Sequence, residues 1–154
     1  MSGHKITVSR VVHAEPDAVW AVLTDLDEAP STIRGITRIK RLEGEGYEVG
    51  TRWQETRKMF GKEETQELYV TEVAPPGRTT VEADSAGVHY TTVYTLEPTE
   101  NSTRLQVTFG ASHPDPNLLQ RLTWTVFGAV GAKVTTRMLA QDLADIARKA
   151  ESTS

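Results

Sequence analysis

NLLQRLTWTVFGAVGAKVTTRMLAQDLADIARKA, residues 117–150, decides the fold. Leu118, Leu122, Val126, Val130 and Val134 recur every four residues, and Leu119, Phe127, Met138, Leu139, Leu143, Ile146 and Ala147 widen the stripe. The spacing predicts one long helix from Asn117 to Ala150, roughly 50 Å at 1.5 Å per residue. Pro114-Asp115-Pro116-Asn117 supplies a turn ending in an Asn suited to N-capping, and Arg148 and Lys149 complement the negative pole. The first half holds Trp124 and Phe127 among Gly128, Ala129, Gly131 and Ala132, whereas the second is an ordinary amphipathic repeat. Each helical glycine costs up to about 1 kcal/mol relative to alanine, so two of them imply close approach, a bend or a ligand.

Working outward, Lys5 to His13 reads as a first strand whose alternation slips near Arg10, as at a bulge. Glu15-Pro16-Asp17 opens a short helix with Val19, Trp20, Leu23 and Leu26 on its buried face, and Asp27 to Ile33 is a second, broken at Pro30. From there the period is two. Strands are expected at Ile36–Leu42, Thr51–Lys58, Glu63–Ala74, Thr79–Asp84, Val88–Glu97 and Thr103–Ala111. The connections are short, among them Met59-Phe60-Gly61-Lys62 between the third and fourth strands, and Glu151–Ser154 reads as a frayed tail. Short connections make the sheet antiparallel, and helices only outside the strand run make the fold α+β. The expected architecture is a curved seven-stranded antiparallel sheet around a long C-terminal helix, with two short helices after strand one. A gap is expected where a straight helix crosses a curved sheet.

The 154 residues make one domain, residues 1–154, with a net charge of −4, 38% hydrophobic and 25% charged residues. That balance argues against a nucleic-acid surface, which is usually basic. With no cysteine, disulfides and thiolate chemistry are excluded. No apolar signal core or stretch of about 18 apolar residues is present, so a soluble cytoplasmic protein without integral membrane association is expected. The four histidines, His4, His13, His89 and His113, have no metal-site spacing, and no phosphate-binding loop exists, so neither metal nor cofactor is expected.

Five words stand out in this order: Ala14-Glu15-Pro16-Asp17-Ala18-Val19-Trp20, Gly50-Thr51-Arg52-Trp53, Val70-Thr71-Glu72-Val73, Tyr94-Thr95-Leu96-Glu97-Pro98 and Asp142-Leu143-Ala144-Asp145-Ile146. Together they resemble the START-like helix-grip superfamily, often called SRPBCC, and within it the polyketide cyclase/dehydrase-type proteins. The resemblance implies a deep apolar cavity between sheet and helix, used by relatives for lipids, sterols, hormones or aromatic polyketides. Some relatives are cyclases, many only bind, and some act in stress or chaperone pathways. The words are structural, and no cyclase catalytic motif matches residue by residue.

If Trp53 faces the cavity, strand parity brings Thr51, Glu55 and Arg57 with it, a paired carboxylate and guanidinium among apolar neighbours. The alternative is that the charges lie at a solvated edge. Tyr90 and Tyr94 share a face of strand six with Val88, Thr92 and Leu96, offering hydroxyls to a ligand or to backbone. Tyr69 is ambiguous, because Leu68 and Val70 compete for the inner face. His113, just before the long helix, is either a group at the cavity mouth or a solvated loop residue. Trp124 and Phe127 complete the candidate wall. The expected function is binding of a small hydrophobic or aromatic molecule by Trp53, Glu55, Arg57, Tyr69, Tyr90, Tyr94, His113, Trp124 and Phe127. The rivals are a cyclase/dehydrase with Glu55, Arg57 or His113 as acid–base group, and a stress-pathway interaction module.

Overall fold

In the computed structural model, which describes residues 3–59 and 61–153, the alternating segments form seven strands. They are β1 (Gly3–Val12), β2 (Ile36–Glu43), β3 (Arg52–Met59), β4 (Lys62–Ala74), β5 (Arg78–Ser85), β6 (Val88–Thr99) and β7 (Ser102–Ser112). One open antiparallel sheet runs β1-β7-β6-β5-β4-β3-β2. From β2 to β7 each strand pairs with the next in sequence, as short connections demand, and β1 closes the other side against β7. Met1, Ser2, Phe60 of the expected β3–β4 connection and Ser154 of the expected tail lie outside the described residues.

Two sequence expectations in β1 and its neighbours change. β1 pairs with β7 from Gly3 to Val12 without a register shift, so there is no bulge at Arg10. The alternation fails there because Val11 points outward, 50% exposed, beside fully buried Val12. Register shifts occur instead in β2, around Ile36–Arg38 and Arg41–Glu43, and in β4 between Val70 and Glu72. Helix α1 (Pro16–Leu23) starts on its proline, and α2 (Ala29–Thr32) carries Pro30 in its first turn, where a missing N–H costs nothing. Pro30 therefore opens that helix rather than breaking it.

The larger correction concerns residues 117–150. They belong to three helices, α3 (Pro116–Leu122), α4 (Trp124–Phe127) and α5 (Ala129–Thr153). Asp115, not Asn117, caps α3, its carboxylate accepting from the Asn117 and Leu118 N–H groups. The first break falls at Thr123, whose hydroxyl donates back to the Leu119 carbonyl. The second falls at Gly128, extended at φ −66° and ψ 172°. There the Thr135 hydroxyl of α5 donates to the Val126 carbonyl that the break leaves open. A Cβ on Gly131 would stand 1.9 Å from the Thr125 carbonyl oxygen, so of the three reasons for helical glycine this chain uses a bend and a close approach. At the other end α5 runs through Thr153, and Glu151 accepts from the His13 N–H instead of fraying.

The second half of α5 lies on the sheet. Leu139, Leu143, Ile146, Ala147 and Ala150 pack with Val12 of β1, Val19 of α1, Leu96 of β6, and Leu105 and Val107 of β7. Leu105, Leu143 and Ile146 are at most 1% exposed, each contributing about 1.5–3 kcal/mol of transfer free energy. A second cluster joins Leu26, Trp53, Val70 and Val81, and a third joins Val88, Ala111 and Leu119. Asp145 fixes the rotation of α5: its fully buried carboxylate accepts from the Arg34 backbone and guanidinium, Gln141 and Arg148. Burial alone would raise the Asp145 pKa, but these donors together hold it below the ordinary carboxylate value.

Gly131→Ala should lower stability by about 1–3 kcal/mol in urea unfolding, since Thr125 backbone must move to admit a methyl group. Asp145→Ala should cost about 2 kcal/mol at pH 7. Because the native pKa of Asp145 is depressed, its contribution is present above the unfolded value of about 4 and lost as pH falls through the native one. Parent and variant should therefore converge in urea melts at acid pH, and a gap independent of pH would contradict the assignment.

Candidate functional site

Between the sheet and α4–α5 lies a cavity of about 350 Å³. Its apolar wall comes from Leu23, Leu26 and Ile33 of the α1–α2 region, Trp53 and Leu68 of β3 and β4, Val81 of β5, Phe109 of β7, and Val126, Met138 and Leu139 of the C-terminal helices. β3 sends Trp53, Glu55 and Arg57 inward and β6 sends Tyr90, Thr92 and Tyr94, as period-two geometry requires. Trp53 is 3% exposed and Thr51, on the same face, 1%.

One polar constellation interrupts the apolar wall. Arg57 donates from Nη2 to Asp142 Oδ2 at 2.7 Å and from Nη1 to Asp142 Oδ1 at 3.2 Å. Its Nε donates to Glu55 Oε2 at 2.7 Å, and Trp53 Nε1 donates to Glu55 Oε1 at 3.3 Å. Burial alone would make Arg57 less basic, but Asp142 and Glu55 overcome it and hold the guanidinium protonated. Burial pushes the Asp142 carboxyl above its ordinary value, with Arg57 pulling part of the way back. Both Asp142 oxygens accept guanidinium N–H groups, the arrangement of an ionised carboxylate.

Tyrosines supply the remaining polarity. Tyr47, from the β2–β3 connection, hydrogen-bonds Thr79 at 2.7 Å, and since Thr79 donates to the Glu72 carbonyl, Tyr47 is the donor. Burial pushes the Tyr47 pKa up to about 12. Burial also raises Tyr94, with the Asp142 charge adding to it. Among the described residues the Tyr94 hydroxyl has no hydrogen-bond partner, yet it is not sealed in the core, and Tyr94 is part of the cavity wall. Tyr90 stacks on Phe109, and Phe109 on Phe127, each at 5.8 Å and 8°.

Of the residues singled out from sequence, Trp53, Glu55, Arg57, Tyr90 and Tyr94 meet in this cavity, and Tyr69, His113, Trp124 and Phe127 do not line it. Tyr69 follows Leu68, which takes the inward position on β4; its hydroxyl donates to Asp84 and Arg52 lies over its ring. His113 sits beside Gly87, its Nδ1 accepting from the Asp115 N–H. Trp124 is 65% exposed, because the break at Gly128 turns it away and seats its indole over that glycine. Phe127 packs behind the wall, between Phe109 and His4. With Leu122 at 41% and Val130 at 76%, Trp124 forms an exposed apolar stretch that the expected continuous stripe concealed.

Sequence reasoning missed Asp142 and Tyr47 as wall residues, whereas Thr92 lines the wall on the face of strand six it shares with Tyr90 and Tyr94. Asp142 had a signal, since it falls on the stripe of Thr135, Leu139 and Ile146, where a charge needs a partner. Tyr47 stands in a turn-rich segment that has no periodicity to read.

A sequence profile of the polyketide cyclase/dehydrase and lipid transport family matches residues 3–151. The chain belongs to that family. Solved structures agree on the fold, the START-like helix grip. The Zhui aromatase/cyclase of Streptomyces sp. R1128 superposes with a TM-score of 0.77 at 15% identity, over 97% of this chain and 94% of that one. A START superfamily protein of Mycobacterium smegmatis gives 0.77 at 14%, over 98% and 99%. A norcoclaurine synthase point mutant from Thalictrum flavum, solved with a transition-state analogue, gives 0.76 at 19%, over 99% and 97%. At such identities the likeness is one of fold alone. No curated protein sequence matches the chain. Among the described residues no helix is long and apolar enough to cross a membrane.

Arg57→Met should cost about 3–5 kcal/mol in chemical denaturation, because it strands Asp142, 4% exposed, beside Glu55, 14% exposed. Adding Asp142→Leu to Arg57→Met should recover most of that loss, and a double variant no better than the single one would argue against a desolvated pair.

Proposed function

We propose that this protein binds a small hydrophobic or aromatic molecule in the cavity between the sheet and the C-terminal helices. The observation that carries the reading is an apolar-walled space of about 350 Å³ whose lining includes side-chain hydroxyls, that of Tyr94 among them, with no hydrogen-bond partner among the described residues. Ligand sites occupy roughly 300–1,000 Å³ and combine apolar walls with a few convergent polar groups. A volume at the low end favours a compact ring system over a two-chain lipid. Trp53, Tyr90 and Phe109 supply flat aromatic surface, Tyr94 a hydrogen bond, and the Glu55–Arg57–Asp142 set a fixed polar end. Membership of a family described by cyclase, dehydrase and lipid-transport activities supports the same reading.

A second reading is catalytic, a cyclase/dehydrase-type reaction in the same space. It is favoured by the juxtaposition of a neutral, burial-raised Tyr94 hydroxyl with carboxylates aligned by an arginine. Tyr94 would donate to a substrate carbonyl while the Glu55 carboxylate takes the proton from the adjacent carbon, an enolisation poised for ring closure or loss of water. Tyr94→Phe separates the readings. A binding protein loses affinity only, whereas an enzyme keeps most of its affinity and loses turnover.

Screening compact neutral aromatics and lipids by thermal shift tests the first reading. A ligand at one hundred times its Kd should raise Tm by roughly 5–10 °C. Thr92→Trp, which fills the cavity from the middle of β6, should abolish the rise with the far-UV spectrum unchanged. A shift that survives Thr92→Trp would move the binding site elsewhere.

A further inference from the structure

We propose that the cavity discriminates by charge: it takes uncharged or cationic aromatic molecules bearing hydroxyl, carbonyl or amine groups, and rejects anionic ones such as aromatic carboxylates and free fatty acids. This rests on the cavity being the binding site, and apolar walls alone do not imply it. Arg57 is the one basic side chain in the wall among the described residues, and it is already spent. Its Nε is held by Glu55 and both terminal nitrogens by Asp142, at distances of 2.7–3.2 Å. Three of its five N–H groups are engaged and its single positive charge is already answered by two carboxylates, so a ligand carboxylate would bring a third anion to one guanidinium. Two carboxylates facing one guanidinium leave the constellation one negative charge in excess, and exposed Glu64 of β4 adds a solvent-screened one at the edge of the lining. In a space poor in water that excess repels anions and attracts cations far more than it would at the surface.

The neutral donor completes the selection. The Tyr94 hydroxyl, without a hydrogen-bond partner among the described residues, suits a carbonyl or phenol oxygen. The carboxylates keep lone pairs for a ligand O–H or N–H, each Glu55 oxygen having only one donor from the protein.

Three probes of one ring system isolate the charge: 2-naphthamide, 2-naphthoate and 2-naphthylmethylamine, titrated calorimetrically into the full chain at pH 7. The amide and the amine should bind at least about tenfold more tightly than the carboxylate. Glu55→Gln, which removes one negative charge and keeps an acceptor for Arg57 while giving up the one for Trp53, should narrow that gap to about threefold or less. Naphthoate binding as tightly as naphthamide overturns the selectivity and leaves the binding cavity standing. Failure of all three probes overturns the cavity reading, and this proposal with it. If Glu55→Gln does not fold, the amide–carboxylate pair decides alone.

Discussion

A guanidinium held between two carboxylates ties the inner face of the sheet to the helix that crosses it. Arg57 reaches Asp142 of α5 from β3 while Glu55, two residues earlier on the same strand, steadies its Nε. Such sets add little net stability, since desolvation offsets much of the attraction. What they fix is position. Asp145, three residues beyond Asp142, reaches in another direction to Arg34 at the start of the α2–β2 corner. Two carboxylates on neighbouring turns, each answered by an arginine from a different element, leave α5 one rotation about its axis. The apolar stripe of Leu139, Leu143 and Ile146 alone would tolerate several.

That rotation determines the space beneath. Leu139 and Asp142 face the cavity, and Leu143, Ile146 and Ala147 close the core behind it. Nearer its start α5 yields ground: Gly131 lets the Thr125 backbone come close, and α4 folds back so that Thr125 and Val126 roof the space. The pocket thus lies where packing is surrendered, next to the part of the helix where it is most complete.

Most of the architecture was legible in the sequence because both periods are clean there. Alternation along Thr51, Trp53, Glu55 and Arg57, and along Val88 to Leu96, puts the right side chains inward, and short turns make the neighbours from β2 to β7 antiparallel. The breaks were hidden because Leu118, Leu122, Val126, Val130 and Val134 keep a four-residue spacing across them. Only Gly128, Gly131 and the threonines hinted that the backbone departs from the pattern. Trp124 shows the consequence: a bulky apolar residue in phase with a continuous stripe is carried out of phase by one extended glycine. Asp142 was obscured for the opposite reason, its arginine lying 85 residues away, where no local pattern connects them.

The stacked rings of Tyr90, Phe109 and Phe127, extended by His4 at 5.2 Å, form a column from the cavity wall to the hinge at Gly128. A column of flat rings transmits displacement better than a cluster of aliphatic side chains, which can rearrange around a disturbance. Tyr90 and Phe109 of the cavity wall are thus in ring contact, through Phe127, with the segment that ends at the break at Gly128. A change of size at any ring of the column would press on its stacked neighbours, so substitutions there bear on the pocket wall and on the helix break at once.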